Sequence, residues 1–156
     1  MYTLDIPGFS TLNIDYLVMD YNGTLAEDGI LFKGVAEILT ELSKQVAMHI
    51  ITADTFGLAA SQLKGVPCKL EIMQQADQIS GKKKYIEELG SSRVASIGNG
   101  RNDSLMLKHS ALGIAVVQRE GASAQTIMNA DVICRDIYDA LDLFTNPGRL
   151  KATLRS

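Results

Sequence analysis

Five short apolar runs recur along this chain, and stretches with helical periodicity separate most of them. The runs cover residues 16–19, 46–51, 94–97, 112–117 and 131–134, and residues 68–73 form a weaker sixth candidate. Short, β-branched and nearly continuous runs are typical of strands that are buried on both faces of a sheet. They predict a parallel sheet whose two faces are both covered by helices.

Apolar residues three or four positions apart predict the covering helices. This spacing occurs from Val35 to Leu42 and from Tyr85 to Leu89, where Gly90 is placed as a C-cap, and residues 123–128 and 137–144 predict two more helices. The rhythm predicts a doubly wound α/β fold in three layers, with one domain over residues 1–156. Residues 1–11 and the tail from Asn146 are predicted to be peripheral, the tail as a solvated helix or a frayed end.

Composition argues against several classes of protein. The chain has 15 basic and 18 acidic residues, a net charge of −3, and 46% hydrophobic residues. This is too apolar for a disordered chain and lacks the basic excess of a dedicated nucleic-acid binder. No apolar run reaches the roughly 18 residues of a membrane span, and the N-terminus shows no signal-peptide pattern. Two isolated cysteines, Cys68 and Cys134, indicate a reducing compartment, so we expect a cytoplasmic location.

Polar residues follow three of the predicted strands at the point where each strand ends. The first strand is followed by Asp20-Tyr21-Asn22-Gly23-Thr24, the second by Thr52-Ala53-Asp54 and a third by the segment from Gly98 to Asp103. In open parallel sheets, ligands bind beyond the carboxyl ends of the strands. If these strands are neighbours, the segments predict a site for a metal ion and a phosphate.

Each segment alone has an ordinary structural explanation. Asn22-Gly23 is a strong turn former, Thr52 is a common strand-end hydroxyl, and Asn102 or Asp103 is a suitable helix cap. A dinucleotide fingerprint from Gly98 onwards is excluded, because its sixth position is Asp103, which would repel a pyrophosphate. The three segments together, in this order, favour a functional site.

These segments resemble the motifs of the haloacid dehalogenase (HAD) superfamily of phosphatases and phosphotransferases. Asp20-Tyr21-Asn22-Gly23-Thr24-Leu25 resembles the first motif, Ile50-Ile51-Thr52 the second, and Gly98-Asn99-Gly100-Arg101-Asn102-Asp103 the fourth. The resemblance extends over residues 14–145 and is closest to the phosphorylation domain of P-type ATPases and their soluble relatives. It implies a Rossmann-like core. The intervals from Asp20 to Thr52 and from Thr52 to Lys82 are too short for a cap domain.

The resemblance also implies roles for individual residues. Asp20 would be the nucleophile and form an aspartyl-phosphate, and Thr52, Lys82 and position 22 would complete the catalytic set. Phosphate would be bound by Gly23, Thr52, Ala53 and Lys82, and Mg²⁺ by Asp20, Asn22, Asn99 and Asp103. Lys82 is preferred because it stands seven residues before Leu89, with Lys84 as the second choice. Arg101 lies inside the fourth motif and is a further candidate for a substrate contact.

Two positions depart from the family pattern. Asn22 replaces the general acid/base Asp, and Asn99 replaces a metal-binding Asp. One interpretation is a slow phosphatase for a small phosphorylated substrate with a good leaving group. The alternative is a degenerate member that binds a phosphorylated ligand or partner in a regulatory role. Because no cap is expected, the cleft would be covered by a neighbouring subunit or by a large substrate, and we favour a homo-oligomer.

Overall fold

The computed structural model describes residues 1–74 and 76–156, and these residues form strands, seven α-helices and two short 3₁₀ turns. The strands are β1 (Tyr2–Ile6), β2 (Ser10–Ile14), β3 (Tyr16–Met19), β4 (Ala26–Glu27), β5 (Ile30–Leu31), β6 (Ala47–Thr52), β7 (Cys68–Ile72), β8 (Val94–Gly98), β9 (Leu112–Val116) and β10 (Val132–Cys134). The helices are α1 (Val35–Leu42), α2 (Ala59–Gln62), α3 (Gln78–Leu89), α4 (Ser104–His109), α5 (Ala124–Asn129), α6 (Ile137–Thr145) and α7 (Pro147–Leu154).

The central sheet has six parallel strands in the order β10-β9-β8-β3-β6-β7. The chain runs outward on one side through β6 and β7, then returns to the other side of β3 with β8. The predicted doubly wound α/β fold is therefore confirmed. Met19, the last residue of β3, is level with Ile50 of β6 and Ile97 of β8. This register brings the three polar segments to one edge of the sheet, at its topological switch point.

Two apolar cores lie on opposite faces of the sheet, which gives the predicted three layers. On one face α1, α6 and α7 bury residues such as Leu39, Leu141 and Leu150. On the other face α3 and α4 bury Ile86 and Met106. Both faces of β3, β8 and β9 are buried, which explains why these strands read as continuous apolar runs.

The helix around Tyr85 begins earlier than the sequence pattern indicates. The sequence pattern predicts that Lys82, Lys83 and Lys84 precede this helix. They lie instead in the middle of α3. Its first two turns carry few apolar residues, so periodicity detects only the later part. In the helix, Lys82 shares the buried face with Ile86, while Lys83 and Lys84 pair with Glu87 and Glu88.

The two chain ends belong to the core, so the prediction that they are peripheral is wrong. Strands β1 and β2 form an antiparallel hairpin that buries Tyr2, Ile6 and Leu12. The tail forms a helix, α7, which was one of the two predicted alternatives. It is not solvated on all sides, because it packs on β1 and buries Leu150 completely. The hairpin strands alternate between buried and exposed residues, which is the pattern of a sheet covered on one face only.

The described residues contain no cap domain. The chain between Asp20 and Thr52 holds only α1 and a small flap, residues 26–31, formed by β4 and β5. The described residues between Thr52 and Lys82 hold α2, β7 and the start of α3. Across the described residues, no helix has the length and apolar character needed to cross a membrane.

Candidate active site

The ends of β3, β6 and β8 open into one small cavity. It has a volume of about 160 Å³ and is lined by Asp20, Asn22, Thr52, Ala53, Thr55, Gln78, Asn99, Gly100, Asn102 and Glu120. Pockets that enclose whole drug-sized ligands are larger, roughly 300–1,000 Å³. The cavity therefore suits a single phosphoryl group better than a complete substrate. A larger hollow of about 400 Å³ beside α1, α6 and α7 contains none of these residues.

Lys82 lies between two carboxylates beneath this cavity. Its Nζ is 2.7 Å from Oδ1 of Asp20 and 2.6 Å from Oδ1 of Asp103. The Lys82 side chain has 0% exposure, and Asp20 has 7%. Burial alone would lower the pKa of Lys82, but Asp103 and Asp20 outweigh it and raise that pKa, so the ammonium stays charged. Burial, together with Asp103, raises the pKa of Asp20 to about 7 despite the opposing effect of Lys82.

Asp103 is fixed from both sides. Oδ1 accepts from Lys82, and Oδ2 accepts the backbone N–H groups of Asn99 and Gly100 at 3.0 and 2.9 Å. A side chain at Gly98 would lie 2.6 Å from this carboxylate, so only glycine permits its approach. Asp103 is fully buried and does not line the cavity, so it positions Lys82 from below. The predicted Mg²⁺ contact of Asp103 therefore needs correction, because both of its oxygens already accept bonds within the fold.

Asn22 connects the site to the flap. Its Oδ1 accepts the backbone N–H of Gly29 at 2.9 Å, while the Tyr21 hydroxyl donates to the Gly29 carbonyl. The predicted phosphate contact at Gly23 needs correction. The Gly23 N–H donates to the Ala26 carbonyl at 2.7 Å, and Gly23 has a φ of 80° in the turn, so its donor is occupied by the fold.

Thr52 and the loop after β6 form the opposite wall. The Thr52 hydroxyl oxygen accepts the Asp54 N–H at 2.9 Å, which leaves its proton available to the cavity. Ala53 lines the cavity next to it. Asp54 has a positive φ of 50°, and its carboxylate accepts from the backbone N–H groups of Leu58 and Ala59. These bonds tie the loop to the start of α2.

The loop between β9 and α5, residues 117–123, borders the site on a further side. The sequence pattern predicted no site residue in this loop. Gln118 donates from Nε2 to the carbonyls of Gly23 and Thr24, both at 2.9 Å, and its Oε1 accepts the Ile137 N–H. Asn99 donates to the Gly121 carbonyl at 3.0 Å. No local motif marks these residues, because their partners are distant in sequence. Arg101 lies outside the cavity.

The donor set suits a hard divalent cation. Asp20 would supply a carboxylate, and Asn22 and Asn99 would supply neutral oxygens, which are the ligand types that Mg²⁺ accepts while it keeps several waters. The side-chain oxygen of Asn22 also accepts from the Gly29 N–H, and that of Asn99 from the Thr24 hydroxyl. No group of three or more Asp, Glu, His or Cys side chains arranged around a metal occurs in the described part of the chain. The site therefore fits a metal ion with few charged ligands, and Lys84, 76% exposed in its side chain, takes no part in it.

A relative with a similar sequence comes from Methanocaldococcus jannaschii. The uncharacterized protein MJ0073 is 49% identical over 78 residues, which cover 47% of this chain and 84% of that protein. The chain belongs to the same family. No model of a described protein family matches the sequence.

Solved structures establish the fold. A hydrolase of HAD superfamily subfamily III A from Legionella pneumophila matches with a TM-score of 0.66 and 18% identity, over 90% of this chain and 87% of that one. The 3-deoxy-D-manno-octulosonate 8-phosphate phosphatase of Moraxella catarrhalis, solved with magnesium and phosphate ions and a KDO molecule, matches with a TM-score of 0.67 and 19% identity, over 91% and 94%. This chain has the capless HAD fold. The narrower resemblance to P-type ATPases stays a prediction.

Proposed function

We propose that this protein is a Mg²⁺-dependent phosphohydrolase that forms a phosphoryl intermediate on Asp20. The buried ion pair between Lys82 and Asp20, at the floor of a cavity sized for a phosphoryl group, is the observation that carries the proposal. A buried lysine is costly to maintain unless its partners compensate it, and here both partners are carboxylates. The fold shared with a magnesium-bound phosphatase supports the same assignment.

In the first step, a carboxylate oxygen of Asp20 attacks phosphorus, and the bond from phosphorus to the leaving oxygen breaks. The Thr52 hydroxyl and the Ala53 backbone hold the phosphoryl oxygens, and Lys82 neutralises negative charge at the nucleophile. When bound at Asp20, Asn22 and Asn99, Mg²⁺ supplies further neutralisation of the phosphoryl charge. Asp103 keeps Lys82 in place throughout.

The second step needs a proton acceptor that position 22 does not provide. Water must attack phosphorus and lose a proton to the surrounding solvent while the bond to Asp20 breaks. An amide at position 22 neither protonates the first leaving group nor accepts this proton. General acid–base catalysis is worth about 10²–10⁴-fold in rate, so both steps lose a factor of that order. Small substrates whose leaving group needs no proton, such as acyl or aryl phosphates, are favoured.

Magnesium-dependent release of phosphate from an aryl phosphate tests this function. We expect release by the wild-type chain with Mg²⁺, and none above background by Asp20→Asn. Asp15→Asn is the matched control, because Asp15 is next to the opposite end of β3 and pairs with Arg93. Full activity in a folded Asp20→Asn protein, or equal loss in Asp15→Asn, would contradict the role of Asp20.

A second candidate function is phosphate-dependent binding without turnover, and the two amides at positions 22 and 99 favour it. In that case inorganic phosphate binds in the presence of Mg²⁺, but intact-mass measurement after incubation with acetyl phosphate finds no phosphoryl adduct. A retained adduct would instead support the hydrolase.

We also place the protein in the cytoplasm as a homo-oligomer. Both cysteines are free, which suits a reducing compartment. The tail packs on β1 of its own chain, so it is not free to cover a neighbour. Two exposed apolar side chains near the cavity are the better candidates for a subunit contact: Ile30 on the flap and Phe56, which follows the cavity-lining Thr55.

A further inference from the structure

The loop of residues 117–123 carries an acidic side chain to the cavity. Glu120 lines the cavity with Asp20 and Asn99, and it also lines an outer hollow of about 530 Å³ with Glu27 and Asp28. The loop is held against Asn99 by two bonds, from the Asn99 amide to Gly121 and from the Ser123 N–H to the Asn99 carbonyl at 2.8 Å. These bonds fix the backbone of the loop that carries Glu120 beside Asn99.

The space above Gly23 shows how closely these groups converge. A methyl group placed on Gly23 would lie 2.5 Å from Oε2 of Glu120, 2.5 Å from Nδ2 of Asn99 and 2.7 Å from Oδ1 of Asn99. The Glu120 carboxylate and the Asn99 amide thus both lie close to Gly23, the residue that follows Asn22. Asn22 and Asn99 are the two uncharged residues of the proposed metal site.

The charge of Glu120 is not balanced by the protein. In the described residues no donor is bonded to its carboxylate, and the adjacent Arg119 pairs instead with Glu27 at 3.3 Å. Glu120 is exposed to solvent, and Glu27 and Asp28 line the outer hollow beside it. A carboxylate crowded by other carboxylates is stabilised when a cation binds among them.

We infer that Glu120 supplies the metal site with the negative charge that Asn99 lacks, as a ligand of a divalent cation directly or through one water. This inference rests on the proposed function. It makes the metal site depend on a carboxylate from the β9–α5 loop, so that Asp20 is not the only charged ligand facing the cavity.

Titration calorimetry with Mg²⁺ tests the inference without any substrate. Glu120→Gln should raise the Mg²⁺ dissociation constant about ten- to hundredfold, the range seen when groups around a bound metal are altered. Asp28→Asn is the matched control: Asp28 is exposed at the same mouth, lines only the outer hollow and has a φ of 50° that Asn adopts readily. It should change the constant by about twofold or less, because Asp28 is not among the residues that line the cavity with Asp20, Asn99 and Glu120.

Electron paramagnetic resonance of bound Mn²⁺ and a second variant, Glu120→Ala, guard against a folding artefact. Both Glu120 variants should weaken Mn²⁺ binding, while their thermal unfolding without metal matches wild type. Wild-type affinity in either variant, or equal weakening by Asp28→Asn, would overturn the role of Glu120 and leave the proposed function standing. If the wild-type chain takes up neither metal, the role of Glu120 and the metal-dependent function are both wrong.

Discussion

The two asparagines of the site differ in whether an aspartate could take their place without breaking a hydrogen bond. Asn22 is held through its Oδ1 oxygen, which accepts from Gly29, and an aspartate oxygen can accept the same bond. Asn99 donates from Nδ2 to the Gly121 carbonyl. A carboxylate at this position would lose the bond, and its oxygen would be repelled by the partial negative charge of the carbonyl oxygen. Position 22 can therefore regain the family carboxylate without disturbing the fold, whereas position 99 is committed to holding the β9–α5 loop.

Asn22→Asp should raise turnover of an aryl phosphate, at most by about 10²–10⁴-fold, because it restores a proton-transferring group. The wild-type aspartyl-phosphate should correspondingly be long-lived and visible by intact-mass measurement. Asn13→Asp on the hairpin makes the same chemical change where Asn13 only accepts from Thr3, and it should leave turnover unchanged. Equal turnover in Asn22→Asp and wild type, with Mg²⁺ binding retained, would contradict the assignment.

Metal binding should release a proton at Asp20 below pH 7. The pKa of Asp20 is raised from 3.8 to about 7 by burial and by Asp103, so the metal-free fold holds a proton that Mg²⁺ displaces. The folded state binds more protons than the unfolded chain between these values, so stability without metal should fall as pH rises from about 4 to about 7. Calorimetry at pH 6 in two buffers of different ionisation enthalpy measures the release; identical heats would contradict it.

At the scale of single elements, α3 shows what a helical register adds to a motif. Three consecutive residues of α3 are lysines, yet only Lys82 lies on the buried face with Ile86. The Lys84 side chain is exposed, and its Nζ is 3.8 Å from Oε1 of Glu88. The family spacing to Leu89 selects Lys82 because seven residues are about two helical turns. The sequence therefore predicted which lysine lies beside Asp20, although it misplaced the start of the helix. The role of Lys82 in catalysis stays a prediction.

Lys82→Met should destabilise the fold by about 3–5 kcal/mol, since it leaves Asp20 and Asp103 buried without a cation, and it should abolish phosphate release. Lys84→Met is the matched control and should change stability by about 0.5 kcal/mol or less. Urea unfolding at pH 7 measures both. A Lys82→Met protein with wild-type stability and activity would mean that another residue of α3 serves the site.

The hairpin of β1 and β2 could not be predicted from the sequence pattern. The central strands were predictable because burial on both faces makes them continuously apolar. Residues 2–14 alternate instead, with Tyr2 and Ile6 inward and Thr3 and Asp5 outward, and such short alternation is easily taken for a loop. Their burial depends on α7, which comes from the other end of the chain.

For the whole molecule, the strand order decides which residues meet. The motifs predicted Asp20, Thr52 and Asn99 as neighbours, and the sheet places β3 between β6 and β8 so that they line one cavity. Gln118 and Glu120 were not predictable, because a lone polar residue in a loop has no motif and gains its meaning only from contacts across the fold. With no cap among the described residues, side chains near this cavity are exposed.

Two exposed apolar side chains near the cavity predict self-association. Ile30 of the flap and Phe56 of the loop after β6 are 53% and 50% exposed, and Phe56 packs over Gly29 at the mouth. Exclusion of water favours phosphoryl transfer, and a second subunit would provide it while burying this apolar surface. Light scattering should show a dimer or larger at micromolar concentration, and joint replacement of Ile30 and Phe56 by Ser should shift it towards monomer. Met128→Ser on α5, where Met128 is 83% exposed, should not. A wild-type monomer that hydrolyses small phosphate esters well would show that the open cleft needs no cover.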